Sequence, residues 1–290
     1  MSIQPLCNDH FTLEVRSHKV KRSEFPPDKL FLFLGNRLIV KRIFCLGLLG
    51  IVLLNLAGCS GNYTWAWYVI SPTHPQGQTN LLFLLSGLAD TMLLAVSSIV
   101  LSIILGLIVV LPGLSKRPWA RAINRTYVEA LRSVPVLVMI LWVYYGLPVM
   151  SGISLNTFWA GMLALAFCDS AFEAEIFRAG IQSIEKGQHD AAESLGLRYS
   201  SKMRLIILPQ ALRRVLPAIG NQFVYMIKMS SLVSVIGMTE LTRRANELVV
   251  SQYRPLEIYT FLVLEYFVLI VLVSMGVRWL ERKLSKSEAV

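Results

Sequence analysis

The stretch DAAESLGLRYSSKMRLIILP, residues 190–209, is polar and charged, although apolar segments of membrane length lie on both sides of it. On a helix, one apolar stripe consists of Ile181, Ile184, Ala192 and Leu195. Gly196 follows this stripe, and because glycine tolerates a positive φ it suits a helix end or a sharp turn. The pattern predicts two short helices that meet at Gly196 and lie against one face of a membrane.

The second arm of this stretch has its own helix signals. Ser200 or Ser201 is placed to cap a short helix, and Pro209 to open the helix that follows. The basic side chains of this arm are expected to face anionic lipid headgroups: Arg198, Lys202 and Arg204.

The same stretch resembles the EAA loop of ABC importer permeases. That loop has an acidic residue and two alanines, three residues, glycine, nine residues, and then I-x-L-P. The matching positions are Asp190, Ala191, Ala192, Gly196, Ile206, Leu208 and Pro209. Asp190 stands where glutamate is usual, which keeps the charge. From Gly87 onward, segments such as EIFRAGIQSI (175–184), KGQHDAA (186–192), SLVSVIGMTEL (231–241) and YYGLP (144–148) resemble the branch that takes up polar amino acids.

The resemblance implies an all-α membrane protein with the five-helix core of type I ABC importer permeases, to which this chain adds one N-terminal apolar helix. It implies import of a polar amino acid across the bacterial inner membrane. Asp190 would contact an ATPase by charge or hydrogen bond, the two alanines would seat the loop, and Gly196 would set its angle. The implied partners are a cytoplasmic ABC ATPase dimer, a second permease copy or a related permease, and a periplasmic amino-acid-binding protein.

Composition and charge agree with a membrane protein. The chain has 290 residues, of which 54% are hydrophobic, and its mean hydropathy is +0.56. The net charge of +10 does not indicate a nucleic-acid partner, because 24 of the 28 Lys and Arg lie in segments that the topology places inside. The partner of this chain is therefore the lipid bilayer.

The sequence contains no ATPase or metal-site signature. No G-x-x-x-x-G-K-[ST] motif occurs, so ATP hydrolysis is expected on a separate subunit and the chain is not expected to be an enzyme. The four cysteines are scattered and match neither a disulfide framework nor a metal site. No cofactor is expected.

Hydropathy divides the chain into segments. These are a polar cytoplasmic extension (1–42), an apolar helix (43–59), a periplasmic segment (60–80), a permease domain (81–280) that contains a cytoplasmic loop (178–214), and a basic tail (281–290). The spans expected after the first are Leu88–Pro112, Val134–Met150, Thr157–Phe177, Val215–Met238 and Leu256–Val277. Close helix packing against Leu88–Pro112 is expected from Gly87, Thr91 and four small residues within it: Ser97, Ser98, Ser102 and Gly106. A basic inside loop (114–133) and an outside segment (239–255) connect them.

The end of the first apolar run, LAGCS (56–60), also resembles a bacterial lipoprotein processing site with Cys59 as the lipidated residue. Processing before Cys59 would leave the five-helix core with a periplasmic N-terminus. Without processing, the run is an extra helix and the N-terminus is cytoplasmic.

Polar residues inside the spans are candidates for a solute path, because such groups are costly in a bilayer and usually face a protein interior or water. Asp169 and Glu173 are four residues apart and share a helix face. The other candidates are Asn221, Gln222, Lys228, Ser230 and Ser231. The alternative is structural: Lys228 pairs with Glu173 or Asp169 and joins two helices, or Glu173 and Glu175 lie at the inner headgroups.

Three other functions remain open at this stage. An ion-gradient-driven secondary transporter would use Asp169 and Glu173 as proton carriers, but the sequence shows no inverted repeat. An ABC permease for an amino-acid derivative such as an opine would share every motif. A membrane anchor or sensor would use residues 185–209 to bind a cytoplasmic protein.

Overall fold

The computed structural model describes residues 63–285, so the predictions for 1–42, for the apolar helix 43–59 and for Cys59 lie outside the described residues. Of the described residues, 65–285 belong to one compact unit. The helices are α1 (Pro75–Gly113), α2 (Pro118–Ser133), α3 (Val136–Ser151), α4 (Thr157–Gln182), α5 (Lys186–Ser194), α6 (Tyr199–Lys202), α7 (Leu208–Ser230), α8 (Leu241–Gln252) and α9 (Pro255–Ser285). Residues 63–285 contain no strand.

Helix α1 packs through a stripe of small residues. The buried members of the stripe are Gly87, Thr91, Ala95, Ser98, Ser102 and Gly106. A Cβ at Gly87 would lie 2.8 Å from the backbone nitrogen of Leu241, and one at Gly106 would lie 2.6 Å from the Cβ of Glu173. Small side chains therefore let the backbones of α8 and α4 approach α1 closely, as the sequence predicts.

Helix α4 lies at the centre of the unit. Its N-terminus is capped by Asn156, whose side chain accepts a hydrogen bond from the backbone of Trp159 at 2.9 Å. Helix α4 packs most extensively against α1, and it also packs against α2, α3 and α7. Residues on almost every face of α4 are buried, including Ala164, Asp169 and Glu173. The carboxyl groups of this helix are therefore enclosed by other helices.

Within residues 63–285, two helices, α1 and α9, are long and apolar enough to cross a membrane. The number of spans rises to four if each of two bent helix pairs is counted as one span. The bent pairs are α2 with α3, at 96°, and the helical run Tyr199–Ile236 with α8, at 47°. Helix α4 covers the predicted span Thr157–Phe177 but does not meet this criterion among the described residues. Its interior carboxyl groups lower its apolar character.

A π-helical turn precedes a proline at two places. The turn Trp142–Gly146 lies before Pro148 in α3, and the turn Met203–Ile207 lies before Pro209 in α7. Proline has no N–H to donate to the preceding turn, and a wider turn accommodates the ring without ending the helix. The run from Tyr199 therefore continues into α7, whereas the sequence predicts a fresh start at Pro209.

Polar contacts close the end of the bundle opposite to α5. Glu240 caps α8 through the backbone nitrogen of Arg243 at 2.8 Å and accepts the hydroxyl of Tyr266 in α9 at 2.9 Å. Glu257 in α9 accepts the backbone nitrogen of Ala66 at 2.7 Å. These bonds tie Ala66, α8 and α9 together, and the sequence analysis anticipates none of them.

Segments 114–133 and 239–255, written as loops in the sequence analysis, are largely helical. Helix α2 occupies most of the first and α8 most of the second. Both are amphipathic and shorter than a span, so a search for apolar runs of membrane length does not detect them. The five spans predicted from Leu88 onward correspond to α1, α3, α4, α7 and α9, although α1 begins 13 residues before the expected Leu88.

Candidate functional site

Asp169 is the centre of a buried polar cluster that joins three helices. Its carboxylate accepts hydrogen bonds from the Ser102 hydroxyl of α1 and from the Gln222 amide of α7, each at 2.6 Å. Only 4% of Asp169 is exposed. Two donors satisfy the carboxylate in an interior where an isolated polar group would be costly. The sequence analysis identifies Asp169 and Gln222 as candidates but treats Ser102 only as a small packing residue.

Glu173 lies one helical turn beyond Asp169 and is completely buried. Neither of its carboxyl oxygens has a hydrogen-bond partner among the described residues. The backbone of α1 at Gly106 lies directly against it. Glu173 is therefore sealed between α1 and α4, and the predicted location at the inner headgroups does not apply to it.

Lys228 is exposed, and no ion pair joins it to Asp169 or Glu173 within residues 63–285. The structural alternative, in which Lys228 pairs with one of these acids, is therefore wrong for this conformation. Asn221 is exposed as well. Asn221 and Lys228 are seven residues apart and share one face of α7, about 100° around the helix from Gln222, so both side chains turn away from α4.

Ser230 and Ser231 bond locally. The hydroxyl of Ser230 donates to the carbonyl of Ile227, and that of Ser231 to the carbonyl of Lys228, each at 2.7 Å. Ser230 is buried and Ser231 is half-buried. Their hydroxyls satisfy the end of α7 and the 3₁₀ turn Ser231–Ile236 that follows it.

A small cavity adjoins Asp169 at the junction of α3, α4 and α7. Its lining consists of Val136, Leu165, Cys168, Asp169, Phe172, Tyr225, Met226 and Met229. The cavity measures only about 10 Å³. One carboxyl group among aromatic and thioether side chains makes a polar point in an apolar wall, which is a common composition for a small-molecule site.

The coupling loop, residues 186–209, begins with α5. Asp190 and Ala191 are exposed, whereas Ala192 is completely buried. Behind the loop, Ile184, Ile207 and Ala211 form a small apolar cluster, with Ile181, Met203 and Ile206 packed against it. One face of the loop therefore packs on the bundle, and Asp190 and Ala191 lie on its exposed face.

Gly196 ends α5 in a Schellman motif. Its φ is +71°, its backbone nitrogen donates to the carbonyl of Glu193 at 2.9 Å, and that of Leu197 donates to the carbonyl of Ala192 at 3.2 Å. This pair of bonds and the left-handed residue between them define the motif. The predicted turn at Gly196 is confirmed.

Two details of the loop differ from the sequence prediction. Leu195 is 76% exposed, because the helix breaks between residues 182 and 186 and a single stripe does not continue through that break. Ser200 and Ser201 lie within α6, and the residue before the helix, Arg198, makes no side-chain cap. The predicted serine cap is therefore wrong.

Lys202 is also placed differently from the expectation that it faces lipid headgroups. It is 7% exposed, and its ammonium lies 2.6 Å from the Glu193 carboxylate across the turn at Gly196. This hydrogen bond lowers the pKa of Glu193. The pair links α5 to α6, and the two residues are nine apart in sequence. The sequence analysis does not anticipate it, because neither partner belongs to the motif.

The end of the coupling loop is mixed in exposure. Ile206 is half-buried, while Leu208 and Pro209 are exposed. The completely buried residue of this run is Ile207, the variable position of I-x-L-P. The motif residues therefore present part of their surface outward, and Ile207 anchors the run to the bundle.

Membrane-length helices that enclose carboxyl groups are characteristic of subunits that move solutes across membranes. The family described as "Binding-protein-dependent transport system inner membrane component" matches residues 79–286, and the chain belongs to this family. It is a multi-pass membrane permease.

Curated relatives from Bacillus subtilis (strain 168) are similar along nearly their whole length. The probable glutamine ABC transporter permease protein GlnM is 38% identical over 208 residues, which cover 72% of this chain and 96% of the relative. The arginine transport system permease protein ArtQ is 36% identical, with 71% of this chain and 94% of the relative covered.

Solved structures of ABC transporters share the fold. A chain from a crystal structure of an amino acid ABC transporter with histidines is 35% identical, with a TM-score of 0.69, covering 76% of this chain and 100% of that chain. A chain of the MetNI methionine ABC transporter in an inward-facing conformation is 18% identical with a TM-score of 0.61, covering 70% and 97%, and shows the fold alone.

Proposed function

We propose that this chain is the permease subunit of an ATP-driven importer of a polar amino acid. The observation that carries the proposal is a coupling loop that exposes Asp190 and Ala191 on the surface of the protein, beside a bundle that encloses Asp169. The relatives named above are a probable glutamine ABC transporter permease protein and an arginine transport system permease protein, and each match covers more than two thirds of this chain. Neither an ion-gradient-driven transporter nor a simple membrane anchor is favoured by these relationships.

The membrane is the bacterial inner membrane, and the coupling loop faces the cytoplasm. The distribution of Lys and Arg supports this orientation, because the segments on the side of α5 carry most of them. The end of the bundle tied by Glu240 and Glu257 then faces the periplasm. There a periplasmic amino-acid-binding protein delivers the solute.

The solute passes along the face of α4 that carries Asp169. The Asp169 carboxylate, beside the aromatic ring of Tyr225 in the small cavity, is suited to bind the ammonium group of an amino acid. The cavity is far smaller than the several hundred cubic ångströms of an ordinary small-molecule site, so α4 and α7 separate to admit a solute. Separation breaks the hydrogen bond between Gln222 and Asp169 and frees an acceptor.

Lys228, Asn221 and the serines Ser230 and Ser231 complete the proposed path. Lys228 and Asn221 are exposed on α7, on a surface available to a second permease, either a copy of this chain or a related one. Two such bundles enclose a polar path between them more readily than one alone. Lys228 then supplies a positive charge for the solute carboxylate.

Force reaches the bundle through the coupling loop. Asp190 and Ala191 contact a separate ATPase subunit, of which the transporter contains a dimer, and the Schellman turn at Gly196 holds α5 at a defined angle to α6. The cluster of Ile184, Ile207 and Ala211 connects the loop to α4 and α7. Closure of the ATPase dimer is thereby coupled to rearrangement of packed helices.

The experiment tests contact and transport together. Full-length protein, co-expressed with its nucleotide-binding subunit, is expected to co-purify with it and to support ATP-dependent uptake of a labelled amino acid in proteoliposomes. Asp190→Ala is expected to reduce both co-purification and uptake. Glu185→Ala is the control, because Glu185 is exposed, lies five residues away and carries the same charge.

Two results would contradict the proposal. Uptake driven by an ion gradient without ATP would assign the chain to secondary transport. Equal effects of Asp190→Ala and Glu185→Ala would show that charge near the membrane matters and that the loop makes no specific contact.

A further inference from the structure

An arginine-lined cleft of about 640 Å³ lies between α2 and the last turns of α4, on the side of the coupling loop. Its charged lining consists of Arg121, Arg125, Arg132, Arg178, Glu129 and Glu175. Four arginines against two glutamates leave an excess of positive charge. The cleft takes no part in the coupling loop or the Asp169 cluster.

The two glutamates neutralise only two of the arginines. Arg125 pairs with Glu129 at 3.2 Å, and Arg178 pairs with Glu175 at 2.6 Å. Arg132 instead stacks over the ring of Phe172, with its guanidinium carbon 5.0 Å from the ring centre.

Arg121 makes no ion pair in the part of the chain that the structure describes, and neither does Arg132. Both are exposed to the cleft. Guanidinium groups in this situation favour an anion with several acceptor oxygens, and phosphate is the best match to their fork of donors.

Helix α2 places the cleft at the level of lipid headgroups. Its buried face, with Ala120, Asn124 and Val128, packs on the bundle. A second face exposes Trp119 and Ile123, each 59% exposed, one helical turn apart. The arginines occupy a third face. The arginines lie about 160–200° around α2 from Trp119 and Ile123, with the buried face between the two groups. A helix with an exposed tryptophan and isoleucine on one flank and arginines on the other lies in a membrane interface, with its apolar flank in the acyl region.

We propose that this cleft binds the phosphodiester headgroup of an anionic phospholipid from the leaflet on the side of the coupling loop. Arg121 and Arg132 hold the phosphate in the cleft. Trp119 and Ile123, on the opposite flank of α2, contact the acyl chains of neighbouring lipids and keep the helix at the level of the headgroups. Basic pockets between helices on this side of a membrane are suited to anionic headgroups. The bound lipid wedges α2 against the end of α4, the helix that leads into α5.

The test measures retained lipid on the full-length protein by native mass spectrometry, after reconstitution with equal amounts of phosphatidylglycerol and phosphatidylcholine. The protein is expected to retain phosphatidylglycerol preferentially. Arg121→Gln with Arg132→Gln is expected to lower the affinity for phosphatidylglycerol about 25-fold, since each arginine near an anionic bilayer contributes about a factor of five. Retention of phosphatidylcholine is expected to stay unchanged.

The matched control is Arg213→Gln with Arg278→Gln. Both arginines are exposed on the same side of the protein, outside the cleft, and the change removes the same charge. Equal loss of phosphatidylglycerol in both double variants would overturn the proposal. If the cleft variant fails to fold, the single change Arg121→Gln, at an exposed residue without an ion pair, is expected to show about a fivefold loss.

Competition identifies the source of the anion. Neither millimolar inorganic phosphate nor a free amino acid is expected to displace the retained lipid. Displacement by phosphate would assign the cleft to a soluble anion, and displacement by an amino acid would assign it to the solute path. Because the readout is lipid retention and not uptake, its outcome is independent of the transport proposal.

Discussion

Replacing Gly196 by alanine tests whether the turn of the coupling loop transmits force. Gly196 has a φ of +71°, and a Cβ built on it would meet no atom within 4 Å. The cost of the substitution is therefore backbone strain alone. For an L-residue in the left-handed region this strain is about 1–2 kcal/mol.

The strain acts on the angle between α5 and α6. It lowers the ratio of bent to unbent loop about 5- to 30-fold, since this is the effect of one to two kcal/mol on a two-state equilibrium. We expect ATP-driven uptake in proteoliposomes to fall by a similar factor while the ATPase subunits continue to hydrolyse ATP. Gly196→Asn is expected to retain more uptake, because asparagine tolerates this region better than alanine.

Gly152 offers the matched control. It also has a φ of +71° and no atom within 4 Å of a built Cβ, but it follows α3 at the opposite end of the bundle. Gly152→Ala carries the same strain without touching the coupling loop. Similar losses of uptake for the two alanine variants, or full uptake by Gly196→Ala, would refute the role of the turn.

Three further predictions concern packing and polar contacts. Asp169→Asn replaces one of two accepting oxygens by a donor, and we expect a loss of about 1–3 kcal/mol in the free energy of unfolding, measured by denaturant titration. Gly106→Ala places a Cβ 2.6 Å from a side-chain atom of α4, so we expect the melting temperature to fall through a cost of about 1–3 kcal/mol. Gly276→Ala meets no atom within 4 Å and is expected to keep or raise the melting temperature, because alanine favours a helix interior over glycine. Lys202→Met removes the partner that lowers the pKa of Glu193 from its ordinary 4.5. A lowered pKa in the folded state stabilises the fold above pH 4.5, and this stabilisation is lost as the pH falls through the lowered value. We therefore expect thermal melting to show a less stable variant at about pH 7 and a smaller difference from the wild type under acid conditions.

The sequence predicts the turn at Gly196 and the polar candidates on α4 and α7 because both depend on local rules. Glycine at a helix end favours one backbone conformation, and charged residues in apolar spans point inward. The contact between Asp169 and Gln222 follows from neither rule. Which face of α7 meets α4 depends on the rotation of one helix against another, and sequence spacing does not contain that rotation.

Lys228 shows the consequence. Its position in a span favours pairing with an acid, yet it is exposed, and the donors to Asp169 are the uncharged Ser102 and Gln222. Ser102 was assigned to packing because small residues in a span have two uses, close approach and hydrogen bonding. Here one residue serves both, which a one-dimensional pattern does not distinguish.

The short amphipathic helices were missed for a different reason. Helix α2 carries its apolar residues in a stripe within a strongly basic segment, and its 16 residues fall below the length of a span. A search for helical period in place of mean hydropathy would detect it. The π-turns before Pro148 and Pro209 are harder to anticipate, because the proline alone predicts a break as readily as a widened turn.

The buried carboxyl group of Glu173 allows the separation of α1 from α4 to be measured by chemical labelling. A water-soluble carbodiimide reacts only with acids that it reaches, and Gly106 presses against this side chain while α1 and α4 remain in contact. Each excursion that parts the two helices exposes the acid to the reagent, and an amine added with the carbodiimide then displaces the urea and leaves a stable amide at this natural residue. The yield at that position, read by peptide mapping, therefore counts cumulative time in the parted state without any engineered cysteine or spin probe.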